Sequence, residues 1–281
     1  LVNFVAIVPA TARSAATLIS LWEFEGDFQA SGGGITLFQT GTVGFIVRGS
    51  GLSASFDGGS VVQGMGQVDG LSVGEENAPD RTSFNGVGFS IVGWVRQTPG
   101  SPGRLLSQSA SYPFGVFFGY ALKMNTTGEL ILEVKDGDGT GQLQVRSVPV
   151  IAPGTWAHFA ATWDGGLTGA GIRLYIDGSE VGTNDTSSGV FDGMSGDEIG
   201  LNVGIEGPDS LQMLNSHAGE LDHLSLWSGV LTAAEIEADY LASLESAVPS
   251  GGVISRLTLL AALLITGSVG LSRTGVHRRK L

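Results

Sequence analysis

The sequence has 281 residues, 45 of them Gly and none Cys, with a formal charge of −13 and only 15% charged residues. These figures exclude a disulfide scaffold, a thiolate metal site and a basic nucleic-acid-binding protein. A hydrophobic content of 42% excludes a disordered chain, and abundant Gly without a three-residue period points away from collagen and towards short strands joined by tight turns.

Taken in chain order, residues 1–16 read Leu1-Val-Asn-Phe-Val-Ala-Ile-Val-Pro9 and then a small-residue stretch containing Ala10-Thr-Ala12. This is the pattern at the end of a secretory signal peptide, and the mature chain is expected to begin between Ala12 and Thr17. A short buried first strand is the alternative. From Leu18 to Trp227 the dominant signal is short alternating runs punctuated by Gly, Asp and Asn, the pattern of antiparallel strands and hairpins. Phe89-Ser-Ile-Val-Gly-Trp-Val95 carries bulk on both faces and is expected to be a central strand. Leu130–Lys135 and Leu143–Val148 flank Asp136-Gly-Asp-Gly-Thr-Gly141, and Arg173–Ile176 joins Glu180-Val181 through Asp177-Gly178. Asp-Gly supplies the positive φ angles that tight hairpins require. The Asp136–Gly141 run begins like an EF-hand loop, but its twelfth position is Ser147 and strands flank it, so it is expected to be a hairpin turn.

No stretch before residue 231 sustains helical periodicity. After it, Thr232 and Glu235 form a capping box, and Ile236, Tyr240 and Leu244 fall on one helical face. The helix is expected to pack on the strands and close a single domain spanning residues 17–245. Residues 246–252 form a linker. Val253–Leu271 is apolar apart from Arg256 and a few Ser and Thr, and Arg273, His277, Arg278, Arg279 and Lys280 follow. An apolar helix of about 19 residues can span a bilayer, and basic residues beyond it place the C-terminus in the cytoplasm and the domain outside. Residues 251–281 hold five basic residues and no acid, so the first 250 residues carry nine basic residues against 27 acidic ones, a charge of −18. Such a domain repels nucleic acid and anionic lipid.

Two resemblances follow from these segments. Leu21-Trp-Glu-Phe-Glu-Gly-Asp27, Ala54-Ser-Phe-Asp-Gly58, Phe89–Val95, Thr155-Trp-Ala-His-Phe-Ala-Ala-Thr-Trp-Asp164, Ile172-Arg-Leu-Tyr-Ile-Asp-Gly178 and Gly219-Glu-Leu-Asp-His-Leu-Ser-Leu-Trp227, followed by Leu231–Ile236, occur in order. This set resembles the landmarks of LamG-like jelly-roll domains of the concanavalin A-like lectin/glucanase superfamily. The resemblance implies an all-β fold, two antiparallel sheets in a jelly-roll sandwich, with members that bind glycans or proteins and often hold a structural calcium ion. The order Val248-Pro249, Gly/Ser spacer, apolar helix and basic tail resembles the PEP-CTERM sorting signals processed by exosortase-type enzymes, although the family's Pro-Glu-Pro is reduced here to Val248-Pro249-Ser250-Gly251. A plain membrane anchor is the alternative, and both place the domain at the cell surface.

Candidate chemistry is sparse. Glucanases of the superfamily use Glu-x-Asp-x-Glu on one strand, and retaining hydrolysis needs two carboxyls about 5 Å apart. The sequence has no such triplet, Glu23-Phe-Glu-Gly-Asp27 being nearest in spacing, so no catalytic residue is expected. His158 and His223 lie in strand motifs without a nucleophile or a second metal ligand at suitable spacing. His217 falls in a loop. Hard cations take carboxylate and carbonyl oxygens, and the resemblance implies a calcium site shared by Asp222, Asp27 and backbone oxygens. Ser111-Tyr-Pro-Phe-Gly-Val-Phe-Phe-Gly-Tyr120 is the most aromatic stretch, and Tyr112 and Phe114 are the candidates for stacking on sugar rings. The expected function is a non-catalytic module binding a glycan or an extracellular matrix protein. A matrix spacer without a small ligand is the rival, and a glucanase-type hydrolase the third reading.

Overall fold

The computed structural model describes residues 15–31, 34–40, 43–58, 70–73, 77–111, 117–137, 140–194, 200–205 and 216–247. The expected signal peptide, most of the linker and the apolar tail with its basic end lie outside them, as do Tyr112 and Phe114. Among the described residues no helix is long and apolar enough to cross a membrane.

Sixteen strands are formed in the described residues: β1 Thr17–Trp22, β2 Phe38–Thr40, β3 Val43–Arg48, β4 Gly51–Asp57, β5 Gly70–Val73, β6 Phe89–Gln97, β7 Gly103–Ser111, β8 Phe117–Met124, β9 Leu130–Lys135, β10 Gln142–Ser147, β11 Ala157–Trp163, β12 Ile172–Ile176, β13 Ser179–Glu180, β14 Thr183–Asp185, β15 Leu201–Val203 and β16 Ala218–Ser228. They make two antiparallel sheets. The first runs β13-β12-β11-β6-β16-β4-β3, with β1 also pairing β16, and the second runs β14-β10-β9-β8-β7-β15-β5-β2. Strands distant in sequence lie side by side, as a jelly roll requires.

Strand alternation builds the core. Phe89, Ile91 and Val95 of β6 and Phe159, Ala161 and Trp163 of β11 face inward from the first sheet, opposite Tyr120, Leu122, Leu132 and Val134 of the second. The rings of Phe89 and Tyr120 meet across the gap at 4.5 Å, and Trp163 meets Phe89 edge-on at 5.6 Å. The opposite face of β6 is buried too, because Val92 packs with Ala160, Tyr175, Leu231 and Ile236 beneath the one long helix, α1 Ala233–Ala247. This double burial is why Phe89–Val95 carries bulk on both faces.

Local chemistry sets the turns and the helix start. Asp177 and Gly178 both have positive φ, 48° and 76°, which makes the two-residue turn between β12 and β13. Asp136 accepts a hydrogen bond from the Gly141 amide at 2.6 Å where the antiparallel strands β9 and β10 meet, the hairpin pairing expected for this run. At α1 the Thr232 amide donates to Glu235 at 2.7 Å and the Glu235 amide donates to the Thr232 hydroxyl at 3.2 Å, the reciprocal capping box. The stripe that meets the sheet runs through Ile236, Asp239, Tyr240 and Ser243, while Leu244 is only half-buried. The expected apolar face therefore carries a carboxylate and a hydroxyl at its centre.

Candidate functional site

The two outer faces of the sandwich differ in kind. On the first sheet, below α1, buried polar groups are paired among themselves. His158 of β11 is fully buried and its Nε2 lies 3.0 Å from the Asp239 carboxylate, while His223 Nε2 lies 3.6 Å from the other oxygen. Trp94 donates its indole N–H to Ser243 at 2.8 Å. His223 reaches Asp239 because β16 bulges between Asp222 and Ser225, with His223 at φ 46°. Burial alone would lower the His223 pKa, but the hydrogen bond and charge of Asp239, with Asp222 and Glu23 nearby, raise it. Burial would raise Asp239, but the bonds from His158 and His223 hold it well below the usual carboxylate range. This cluster clamps the helix to the sheet.

Beside it, Arg48 at the end of edge strand β3 reaches across β4 to the carboxylate of Asp222 on β16. Its guanidinium lies 4.3 Å from the Trp94 ring centre and 4.7 Å from that of Trp156. The other Asp222 oxygen accepts the His223 amide at 2.7 Å. Arg96 makes a two-pronged pair with Glu220, both bonds 2.7 Å.

These contacts bear on the expected calcium pair of Asp222 and Asp27. Asp222 already faces a buried cation, and a calcium ion at that carboxylate would meet the guanidinium. Asp27 is exposed and accepts the Gln29 amide at 3.0 Å in its own turn. Among the described residues no group of three or more His, Cys, Asp or Glu is placed to hold a metal. The expected donor set of Asp27 and Asp222 does not fit the ion.

The second sheet presents the candidate binding surface. In β7 to β10 the inward residues are Leu106, Tyr120, Leu122, Leu130, Leu132, Val134, Leu143 and Val145. Alternation turns their neighbours outward. The register sets Ser107 beside Ala121, Ala121 beside Glu133 and Glu133 beside Gln144, with Ser109 beside Gly119 and Gly119 beside Lys135 in the next row. Small residues thus form a floor and long polar ones its border. A small depression results, lined by Arg104, Ser109, Gly119, Ala121, Glu133 and Lys135 together with parts of Phe118 and Tyr120. Gly119 is required there, since its φ is +99° and a Cβ would lie 2.1 Å from the Gln108 carbonyl oxygen.

Glu133 organises the charges. Lys123 donates to it at 2.6 Å, Gln144 donates at 2.7 Å, and Lys135 stands 3.7 Å away. Burial favours its neutral form, but Lys123, Lys135 and Arg104 outweigh burial and lower its pKa. A carboxyl held ionised in this way cannot serve as the general acid of a glycosidase, which needs a raised pKa. Tyr112 and Phe114 belong to the segment joining β7 to β8, three and five residues beyond Ser109 in sequence. The residues that sequence reasoning missed are Arg104, Lys123, Glu133 and Lys135. Their signal was present in the alternation of Leu130, Leu132 and Val134 with Ile131, Glu133 and Lys135.

Comparisons with known proteins agree with this architecture. Domain 4 of AbnA, a GH43 extracellular arabinanase from Geobacillus stearothermophilus solved with arabinotriose, superimposes with a TM-score of 0.50 at 18% identity, covering 79% of this chain and 98% of that one. A botulinum neurotoxin type C chain, from a structure describing cell entry dependent on two ganglioside molecules, gives 0.58 at 12% identity over 81% of this chain and 51% of that one. The botulinum neurotoxin serotype G binding domain gives 0.56 at 14% identity, with 81% and 51% covered. At these identities the likeness concerns the fold. In sequence, mouse (Mus musculus) pappalysin-1 is 33% identical over 88 residues, which are 31% of this chain and 5% of the length of that protein. Residues 72–237, more than half of the sequence, match Laminin_G_3, and the chain belongs to this family of the concanavalin A-like lectin/glucanases superfamily.

Proposed function

We propose that the chain is an exported, surface-attached, non-catalytic module that binds a glycan on the outer face of its second sheet. The observation that carries this reading is the depression over Ser109, Gly119 and Ala121. It is a floor of small side chains bordered by hydrogen-bonding ones, on the sheet opposite the one that α1 covers. Sugar rings need such a flat floor with polar groups at its edge, and an aromatic side chain beside it adds stacking. Tyr112 and Phe114, in the β7–β8 connection, are the candidates for that part. Neighbours of the same fold that were solved with or for carbohydrate support the class of ligand. The absence of a Glu-x-Asp-x-Glu strand triplet in the sequence supports a role without catalysis. Export and attachment rest on the two terminal segments read from the sequence, with an exosortase-type enzyme or the membrane itself holding the tail.

A glycan array probed with the full chain and with Tyr112→Ala tests the reading. The wild type is expected to retain a restricted set of glycans and the variant to retain the same set with weaker signal. Retention of no glycan by the wild type would leave the matrix spacer as the function, and release of reducing sugar from any bound glycan would make the protein a hydrolase.

A further inference from the structure

The edges of the two sheets are unequal. Three of the four strands that end them, β13, β14 and β2, have two, three and three residues, whereas β3 has six. A long edge strand is a template for another chain, and proteins blunt such strands with Lys, Pro or a bulge. Val43-Gly-Phe-Ile-Val47 has none of these, and its register with β4 is unbroken. The one charge on β3, Arg48, is turned away to Asp222.

The register shows which backbone groups this edge presents. Arg48 pairs with Gly51 across a two-residue turn, and the pair that closes such a turn is hydrogen-bonded. Alternation then makes Ile46 with Ser53 and Gly44 with Ser55 the next bonded pairs, and turns the N–H and C=O of Val43, Phe45 and Val47 away from β4. Gln39 of β2 donates to the Val43 carbonyl at 3.4 Å. Among the described residues no backbone group meets those of Phe45 and Val47 on this side. The side chains around them are apolar on both faces of the strand, with Val47 73% exposed, Ile46 38% and Phe45 36%.

Charge and symmetry select the occupant. Residues 28–47 carry no charged side chain, although the first 250 residues hold 27 acids against nine bases. Two copies of so acidic a domain repel one another on most approaches, and along this seam they meet without setting acid against acid. A basic partner would find its attraction elsewhere on the surface. Antiparallel pairing of β3 with itself, about a twofold axis at Ile46, sets Phe45 opposite Val47, so each outward residue exchanges both of its N–H···O bonds. The smallest residue, Gly44, then falls opposite the largest, Arg48.

We infer that β3 is a self-association edge, through which two copies of the chain join their first sheets into one. The inference does not depend on the glycan-binding reading. A six-residue seam falls short of the roughly 1,200–2,000 Å² that stable interfaces bury, so the pairing is reversible and concentration-dependent.

Sedimentation equilibrium of the full chain in density-matched nonionic detergent tests this, together with hydrogen exchange read at single amides. A monomer–dimer equilibrium is expected, tightened by salt because screening relieves the repulsion between two acidic domains. On association the amides of Phe45 and Val47 should gain protection, while those of Gly44 and Ile46, bonded to β4, are protected at every concentration. Val47→Pro removes an N–H that β4 does not use and should weaken the dimer about tenfold or more. Val47→Lys, which keeps the backbone intact and sets a charge at the seam, should do the same. Unchanged protection of β6 and β11 would show that both variants fold. A dimer indifferent to both substitutions, as association through the apolar tail would be, overturns the inference. Protection of Phe45 and Val47 in the monomer overturns it by assigning the edge to another segment of the same chain. A chain that stays monomeric with these amides open overturns it and leaves the edge to a different protein.

Discussion

Arg48→Ala is expected to lower stability by about 3–5 kcal/mol, read as a shift of the denaturant midpoint at unchanged slope. Arg48 is 4% exposed and Asp222 is 7% exposed, so removing the guanidinium leaves a carboxylate out of water with no counter-charge. Burial already pushes the Asp222 pKa up against the pull of Arg48, and removing Arg48 takes away the largest influence opposing that push. The substitution also removes a cation from between the Trp94 and Trp156 rings, each such contact contributing about 0.5–2 kcal/mol. The loss falls on the sheet edge, because Arg48 ties β3 across β4 to β16. Pairing Arg48→Met with Asp222→Leu should restore much of the stability, since replacing both charges removes the orphan. A single variant as stable as the wild type would show that this pair is a solvated surface contact.

Acid should destabilise the protein well before its carboxylates titrate, and His217 is the cause. It precedes β16, fully buried against the edge of Phe56 at 5.9 Å, where the sequence suggested only a loop. Burial lowers its pKa to about 4, and neither ring nitrogen has a hydrogen-bond partner. Its pKa is therefore lower folded than unfolded, so between about pH 6.5 and 4 the unfolded chain binds a proton that the folded chain refuses. Stability is full above that window and falls by roughly 3 kcal/mol as the pH drops through it. Denaturant titrations at stepped pH should show this slope in the wild type and lose it in His217→Gln. His223 acts with the opposite sign: its raised pKa gives stability that is present at low pH and lost as the pH rises through the folded value. Asp239, held low by the two histidines, adds a further loss at the acid extreme. A pH profile that His217→Gln leaves unchanged between pH 7 and 4 would contradict the account of His217.

The parts of the structure legible in the sequence are those decided by near neighbours. Thr232 and Glu235 meet within one helical turn, Asp177 and Gly178 need only their own φ angles, and the bulk of Phe89–Val95 signals burial on both faces. The candidate site depends on pairings that no local pattern contains. Arg104, Ala121 and Glu133 stand together only because β7, β8 and β9 adopt one register, and strand alternation says which residues share a face but not which strands are neighbours. The pairing of Asp222 was illegible for the same reason. Asp222 was visible, but its partner Arg48 lies 174 residues away on an edge strand. Asp239 carried an unused signal, a carboxylate three residues after Ile236 on the face of α1 that packs, where a charge requires partners such as His158 and His223.

The central claim is that ligand binds on the second sheet, and amide chemical-shift mapping during titration with an array-selected glycan tests it most directly. The account predicts shifts concentrated at Ser109, Gly119, Ala121, Glu133 and Lys135, with α1 around Asp239 and Ser243 undisturbed. Shifts centred on α1 and the Arg48–Asp222 side, or a saturating ligand that leaves the second sheet unmoved, would contradict it.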